Sequence, residues 1–134
     1  MKLKNPFIAC CVGLIITTPA LANDTVANLV HEYQTQASRA FTAEAGRQLW
    51  ITAFPATNGK QRSCTTCHTD NPVQAGKHVR TGKRIEPLAP SINRERLTEE
   101  NQIRKWLKRN CKWTLGRECT ADEKGNLLTY LNSL

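Results

Sequence analysis

Cys64-Thr65-Thr66-Cys67-His68 decides how the rest of this chain is read. The pattern is C-x-x-C-H, the spacing of covalent haem attachment. Two cysteines three residues apart can each form a thioether with a vinyl group on one porphyrin edge. A histidine directly after the second reaches under the ring to the iron. Such a cofactor also doubles as core for a chain too short to bury much apolar surface by itself. Two other chemistries use cysteines of this kind. A structural zinc would have to take Cys64, Cys67, Cys111 and Cys119, but its ligands come as two tight pairs, and the second two are far apart along the chain. A thioredoxin-like redox pair belongs in a βαβ setting, which this sequence does not offer.

Upstream, the 134 residues open on Met1-Lys2-Leu3-Lys4-Asn5, followed by an apolar run over 7–18 and then Pro19-Ala20-Leu21-Ala22. A basic start, a short apolar middle and a small-residue exit predict a cleavable secretion signal over residues 1–22. The domain itself is then 23–134, a single unit in the periplasm. An uncleaved membrane anchor needs a longer apolar run. Lipid attachment at Cys10 needs that run before the cysteine, whereas most of it follows. Of the six cysteines, Cys10 and Cys11 leave with the signal. The other four meet an oxidising compartment, where a cysteine is usually bridged or otherwise committed.

The whole chain has 19 Lys and Arg against 11 Asp and Glu, and only Lys2 and Lys4 of the basic residues lie in the leader. A moderately basic surface suits an acidic redox partner. Without a continuous basic and aromatic stripe, nucleic acid is excluded as a partner.

The periodicity downstream is helical. Val26, Leu29, Val30 and Tyr33 form one apolar face, with Asp24 available as a cap. Thr42 opens a second helix carrying Ala45, Leu49 and Ala53, which stops before Pro55 and the Asn58-Gly59 turn. Gly46 inside that helix costs about 1 kcal/mol relative to Ala, a cost explained if another helix approaches closely there. Residues 71–93 have no helical period and predict a cofactor-wrapping loop, with a short hairpin around Thr81-Gly82. A third helix is expected over 98–110. A fourth begins at Thr120, where Thr120-Ala121-Asp122-Glu123 reads as a capping box. The expectation is an all-α fold of about four helices with long loops.

The iron's other axial position is constrained by elimination. The sole methionine is Met1, inside the leader, so a Met ligand is impossible. His31 sits off the first helix's apolar stripe, and His78 lies in the basic loop between Lys77 and Val79. Ile103, Trp106, Leu107 and Asn110 share one helical face, which directs Asn110 toward the haem pocket. A helix C-cap is the competing role for Asn110. Arg80, Lys83 and Arg84 are candidates for haem propionate contacts, and Trp50 and Trp113 for ring contacts or core.

Gly46-Arg47-Gln48-Leu49, Cys64 to His68, Thr81-Gly82-Lys83, Leu88-Ala89-Pro90-Ser91, Trp106-Leu107-Lys108-Arg109-Asn110-Cys111, Gly116-Arg117-Glu118-Cys119 and the last helix carry a family likeness. Together they resemble the SHP group of oxygen-binding monohaem c-type cytochromes (named from sphaeroides haem protein), close relatives of cytochrome c″. The resemblance covers nearly all of the chain after the leader. It implies a class I-like cytochrome c fold with a helical N-terminal extension and one covalently bound haem c. It further implies His68 as proximal ligand, Asn110 as sixth ligand and a Cys111–Cys119 disulfide. Cytochrome c″ is similar but carries a histidine where this chain has Asn110. Proteins of this type look like partners of a dihaem cytochrome c and a membrane cytochrome b.

The function expected is electron exchange with a partner cytochrome and binding of O2, NO or CO in the ferrous state. A plain electron carrier with two histidine ligands is the first alternative. A reductase of small oxidants is the second, but no acid–base group is recognisable and no catalytic residue is assigned.

Overall fold

The first helix forms because side chains spaced by one turn find apolar neighbours. In the computed structural model, which describes residues 24–56 and 58–134, α1 (Asp24–Gln34) buries Val26, Leu29 and Tyr33. Its partner is chiefly α5 (Ala121–Asn132), the central helix of the molecule. There Thr120 and Glu123 close the capping box that the sequence predicts, and Leu127, Leu128, Tyr130 and Leu131 are buried.

α2 (Ala43–Ile51) starts where Thr42 accepts a hydrogen bond from the Ala45 amide. It lies directly on α5. A Cβ on Gly46 would come within 2.1 Å of the Asn126 carbonyl oxygen, so only glycine allows the two helices this close. The helical cost of Gly46 is offset by that approach.

Between α2 and the last two helices the chain is mostly loop, with two small antiparallel sheets and one turn of helix. β1 (Phe54–Pro55) pairs with β2 (Gln61–Arg62), with Phe54 opposite Arg62. α3 (Thr65–His68) follows, carrying the cysteine–histidine motif. β3 (Gly76–Lys77) then pairs with β4 (Arg84–Ile85), with Gly76 opposite Ile85, and Gly82 takes φ 69° in the turn between them. This is the hairpin expected around Thr81-Gly82. The β1–β2 hairpin was not expected, because two-residue strands are too short for alternation to register.

α4 (Glu100–Leu115) differs at both ends from the helix expected over 98–110. It begins two residues later and runs through Asn110 to Gly116, which adopts a left-handed conformation and ends it. Buried Ile103, Cys111 and Thr114 continue one stripe past Asn110, so the helix has an apolar reason to go on. With α3 the helices number five among the described residues.

The core has two parts. Trp50, Cys111, Cys119, Leu127, Tyr130 and Leu131 form one, and Val26, Leu29, Tyr33, Ile103 and Leu128 the other. Leu97 and Leu107 pack against both. No helix among the described residues is long and apolar enough to cross a membrane. The signal expected over 1–22 lies outside the described residues.

Candidate functional site

The β1–β2 hairpin returns the chain to Ser63, which is buried and holds the start of α3. Its amide donates to Thr66 Oγ1 at 3.0 Å, and its hydroxyl lies 2.6 Å from Thr65 Oγ1. Cys64 is the residue before the helix, and its carbonyl accepts from the Cys67 and His68 amides. One turn therefore sets Cys64, Cys67 and His68 at i, i+3 and i+4, side by side.

Each of these groups is poised to make a new bond. Neither Cys64 nor Cys67 is bridged. Burial pushes the Cys64 thiol up to about 12, which keeps it protonated until it reacts. Burial also lowers His68 to about 4, with smaller contributions from Arg96 and His78. The imidazole is thus neutral at physiological pH, its lone pair free to bind a metal. A zinc held by four cysteines is ruled out by the disulfide that joins Cys111 to Cys119.

The surroundings fix the motif from two sides. The Trp50 ring lies 5.5 Å from the His68 ring, and its Nε1 donates to the Thr69 carbonyl at 2.9 Å. On the other side, a Cβ on Gly76 would fall 2.1 Å from the Cys67 carbonyl oxygen and 2.9 Å from His68 Cα. The β3–β4 hairpin thus rests on the backbone of α3, and the Val79 amide approaches Cys67 Sγ at 3.5 Å.

α4 meets the motif through its buried Cys111, which shares a core cluster with Trp50 and has Cys64 packed against that cluster. Asn110, one residue earlier, is exposed. It lies inside the helix, five residues short of its end, which overturns the C-cap alternative. No hydrogen bond involves its carboxamide among the described residues. Trp106, one turn before, is 46% exposed, with the Arg109 guanidinium 4.8 Å from its ring centroid.

The two histidines weighed against Asn110 are placed differently. His31 is exposed on α1. His78 lies on the hairpin that packs against α3 itself, and its Nδ1 accepts from the Thr81 amide at 3.2 Å. A metal-binding histidine normally donates from its second nitrogen, so this bond sets the wrong polarity. Of the loop cations, Arg84 is paired with Glu86 at 2.7 Å, while Arg80 and Lys83 are exposed. Arg96, not singled out from sequence, donates to the Pro87 and Glu86 carbonyls and is the cation felt by His68. No sequence signal distinguishes it from other arginines.

The residues present fit a covalently attached haem: two free thiols and a neutral imidazole on one turn, held in place by Trp50 and by the close approach of Gly76. The family described as a domain of unknown function (DUF1924) matches residues 36–131. The cytochrome c-type protein SHP of Cereibacter sphaeroides is 42% identical over 121 residues, covering 90% of this chain and 93% of the relative. The chain belongs to the SHP and cytochrome c″ family of c-type cytochromes. Its cofactor is therefore one covalently bound haem c. The structure of oxidised SHP, described as an oxygen-binding cytochrome c, superimposes with a TM-score of 0.72 at 41% identity, over 81% of this chain and 96% of that one. The solution structure of cytochrome c″ from Methylophilus methylotrophus, described in terms of haem-ligand detachment, superimposes at 0.74 with 32% identity, over 83% and 94%. What the chain shares with these cytochromes is a helical fold, which among the described residues comprises five helices and two small antiparallel sheets.

Proposed function

We propose that this chain is an exported monohaem cytochrome that binds a diatomic gas when reduced and exchanges electrons with a partner cytochrome. In this reading residues 1–22 are a signal removed on export and 23–134 work in the periplasm, built around a class I-like haem-binding arrangement. Cys64 and Cys67 hold the haem through thioethers and His68 is the proximal ligand. When bound, the haem would supply a redox-active iron.

Asn110 would join His68 in holding the iron of the oxidised haem. Its carboxamide oxygen is a neutral, hard, weak donor, better matched to ferric than to ferrous iron. A carboxamide held so weakly would yield its place in the reduced protein to O2, NO or CO, and its NH2 could donate a hydrogen bond to that ligand. Support comes from one observation above all. Asn110 is exposed and unbonded in a helix interior, where Asn is a poor choice, one residue from Cys111, which belongs to the core cluster against which Cys64 packs.

An electron carrier with two histidine ligands finds less support, since His31 is on α1, which packs chiefly against α5, and His78 Nδ1 already accepts from the Thr81 amide. The family's members are described as cytochromes c, and no residue here is assigned an acid–base role in catalysis. Absorption and EPR spectra of purified ferric protein test the reading. Asn110→Ala should turn the ferric iron five-coordinate or water-ligated and leave the ferrous protein still able to bind CO. A ferric spectrum unchanged by that substitution refutes the assignment.

A further inference from the structure

We infer that Arg62 is a positioning residue for the sixth ligand: it holds the C-terminal half of α4, and with it Asn110, against the segment that carries the haem-attachment cysteines. The inference rests on the reading of Asn110 as that ligand. Arg62 ends β2, two residues before Cys64, and is partly buried. Its Nη1 donates to the Trp113 carbonyl at 2.9 Å, and its guanidinium lies 4.5 Å from the centroid of the Trp113 ring. Trp113 is on the turn after Asn110 and two residues beyond Cys111.

The contact has three physical components. The Trp113 carbonyl belongs to the last turn of α4, whose carbonyls have no partner within the helix. A cation at that end is also favoured by the helix dipole. Stacking on the indole adds a cation–π attraction that fixes the plane of the guanidinium. Among the described residues this is the only side-chain hydrogen bond between the motif segment, 61–69, and α4. The Cys111–Cys119 disulfide ties the same end of α4 to the start of α5, a different direction. Arg62 therefore adds to the apolar packing around Cys111 a directional tie that the disulfide does not supply, between the end of α4 and the segment carrying Cys64 and His68.

That placement matters more for an amide than for a stronger ligand. A neutral carboxamide has little binding energy with which to pull a helix into reach, so ligation depends on a scaffold already in position. The test compares Arg62→Gln, Arg62→Lys and Asn110→Ala in the haem-loaded protein. Arg62→Gln should raise the fraction of ferric protein lacking the sixth ligand several-fold, read by absorption and EPR. It should also speed amide hydrogen exchange over residues 110–115 by about tenfold, the scale of one hydrogen bond plus one stacked cation. Arg62→Lys, which keeps the charge but loses the planar fork, should recover part of both effects. A lowered melting temperature with ferric spectrum and exchange over 110–115 both unchanged would overturn the inference and leave Arg62 a merely structural residue. If Asn110→Ala itself leaves the ferric spectrum unaltered, the ligand reading fails, and the inference fails with it for that separate reason.

Discussion

Thr69 follows the proximal histidine at φ 64° and ψ 173°, a region that side chains with a branched Cβ rarely enter. Strain at that position persists only if neighbours hold it. Here the Trp50 indole donates to the Thr69 carbonyl, while the Thr69 hydroxyl donates to the Asn71 carbonyl and accepts from the Asn71 amide. Trp50→Phe keeps the ring beside His68 and removes only the donor. It should cost about 1–2 kcal/mol in urea denaturation, through a lost bond and a backbone no longer held. Thr69→Gly, which accepts that backbone without strain, should recover much of the loss in the Trp50→Phe background. Equal effects of the glycine in both backgrounds would show that Trp50 does not hold the strain. The motif itself was legible because its chemistry is local: i, i+3 and i+4 on one turn need no tertiary information. Of the two roles the sequence leaves open for Trp50, haem contact or core, the structure shows the core one, with the indole buried beside His68. Arg96 was not legible, since its two carbonyl partners come together only when the loop folds.

Helix starts were read better than helix ends. The caps at Thr42 and Thr120 are local arrangements of hydroxyl and amide, and both are present where the side chains announce them. The end of α4 was misjudged because Asn110 is itself a good capping residue, while the stripe through Cys111 and Thr114 depends on what they pack against. The capping box also makes a pH prediction. Glu123 is held below its ordinary carboxylate range, first by the paired Arg117 guanidinium, which outweighs the opposing effect of burial, with a smaller contribution from the Thr120 amide. A carboxylate whose pKa is lowered on folding stabilises the fold above its unfolded pKa of about 4.5, and that stabilisation is lost as pH falls. Glu123→Gln retains a reach back to the Thr120 amide but loses the ion pair. It should therefore be less stable than the parent at neutral pH by roughly 0.5–1 kcal/mol, solvent screening keeping the figure small. The gap should close as pH falls below about 4.5. A difference that stays constant over that range would assign the effect to helix propensity instead.

The sequence presents α1 as an extension, and the family match begins at residue 36, after it. That extension is nonetheless packed into the core. Leu29 is 1% exposed and Val26 2%, and with Tyr33 they make up more than half of a core cluster completed by Ile103 of α4 and Leu128 of α5. The Arg104 guanidinium adds ion pairs to Glu32 of α1 and Glu100 of its own helix, though at exposed positions these contribute little. Leu107 joins this cluster to the one around Trp50 and Cys111, one turn before Asn110. Anything that loosens α1 should therefore be felt at the haem side. Leu29→Ala removes a fully buried side chain and should cost about 2–4 kcal/mol. Two-cluster cooperation predicts a single urea transition, with circular dichroism and haem absorbance moving together at a lower midpoint. An early loss of helix with the haem signal still native would mean that α1 melts alone. The molecule would then have a separate cap on a self-sufficient cytochrome, and Leu107 would not couple its two halves.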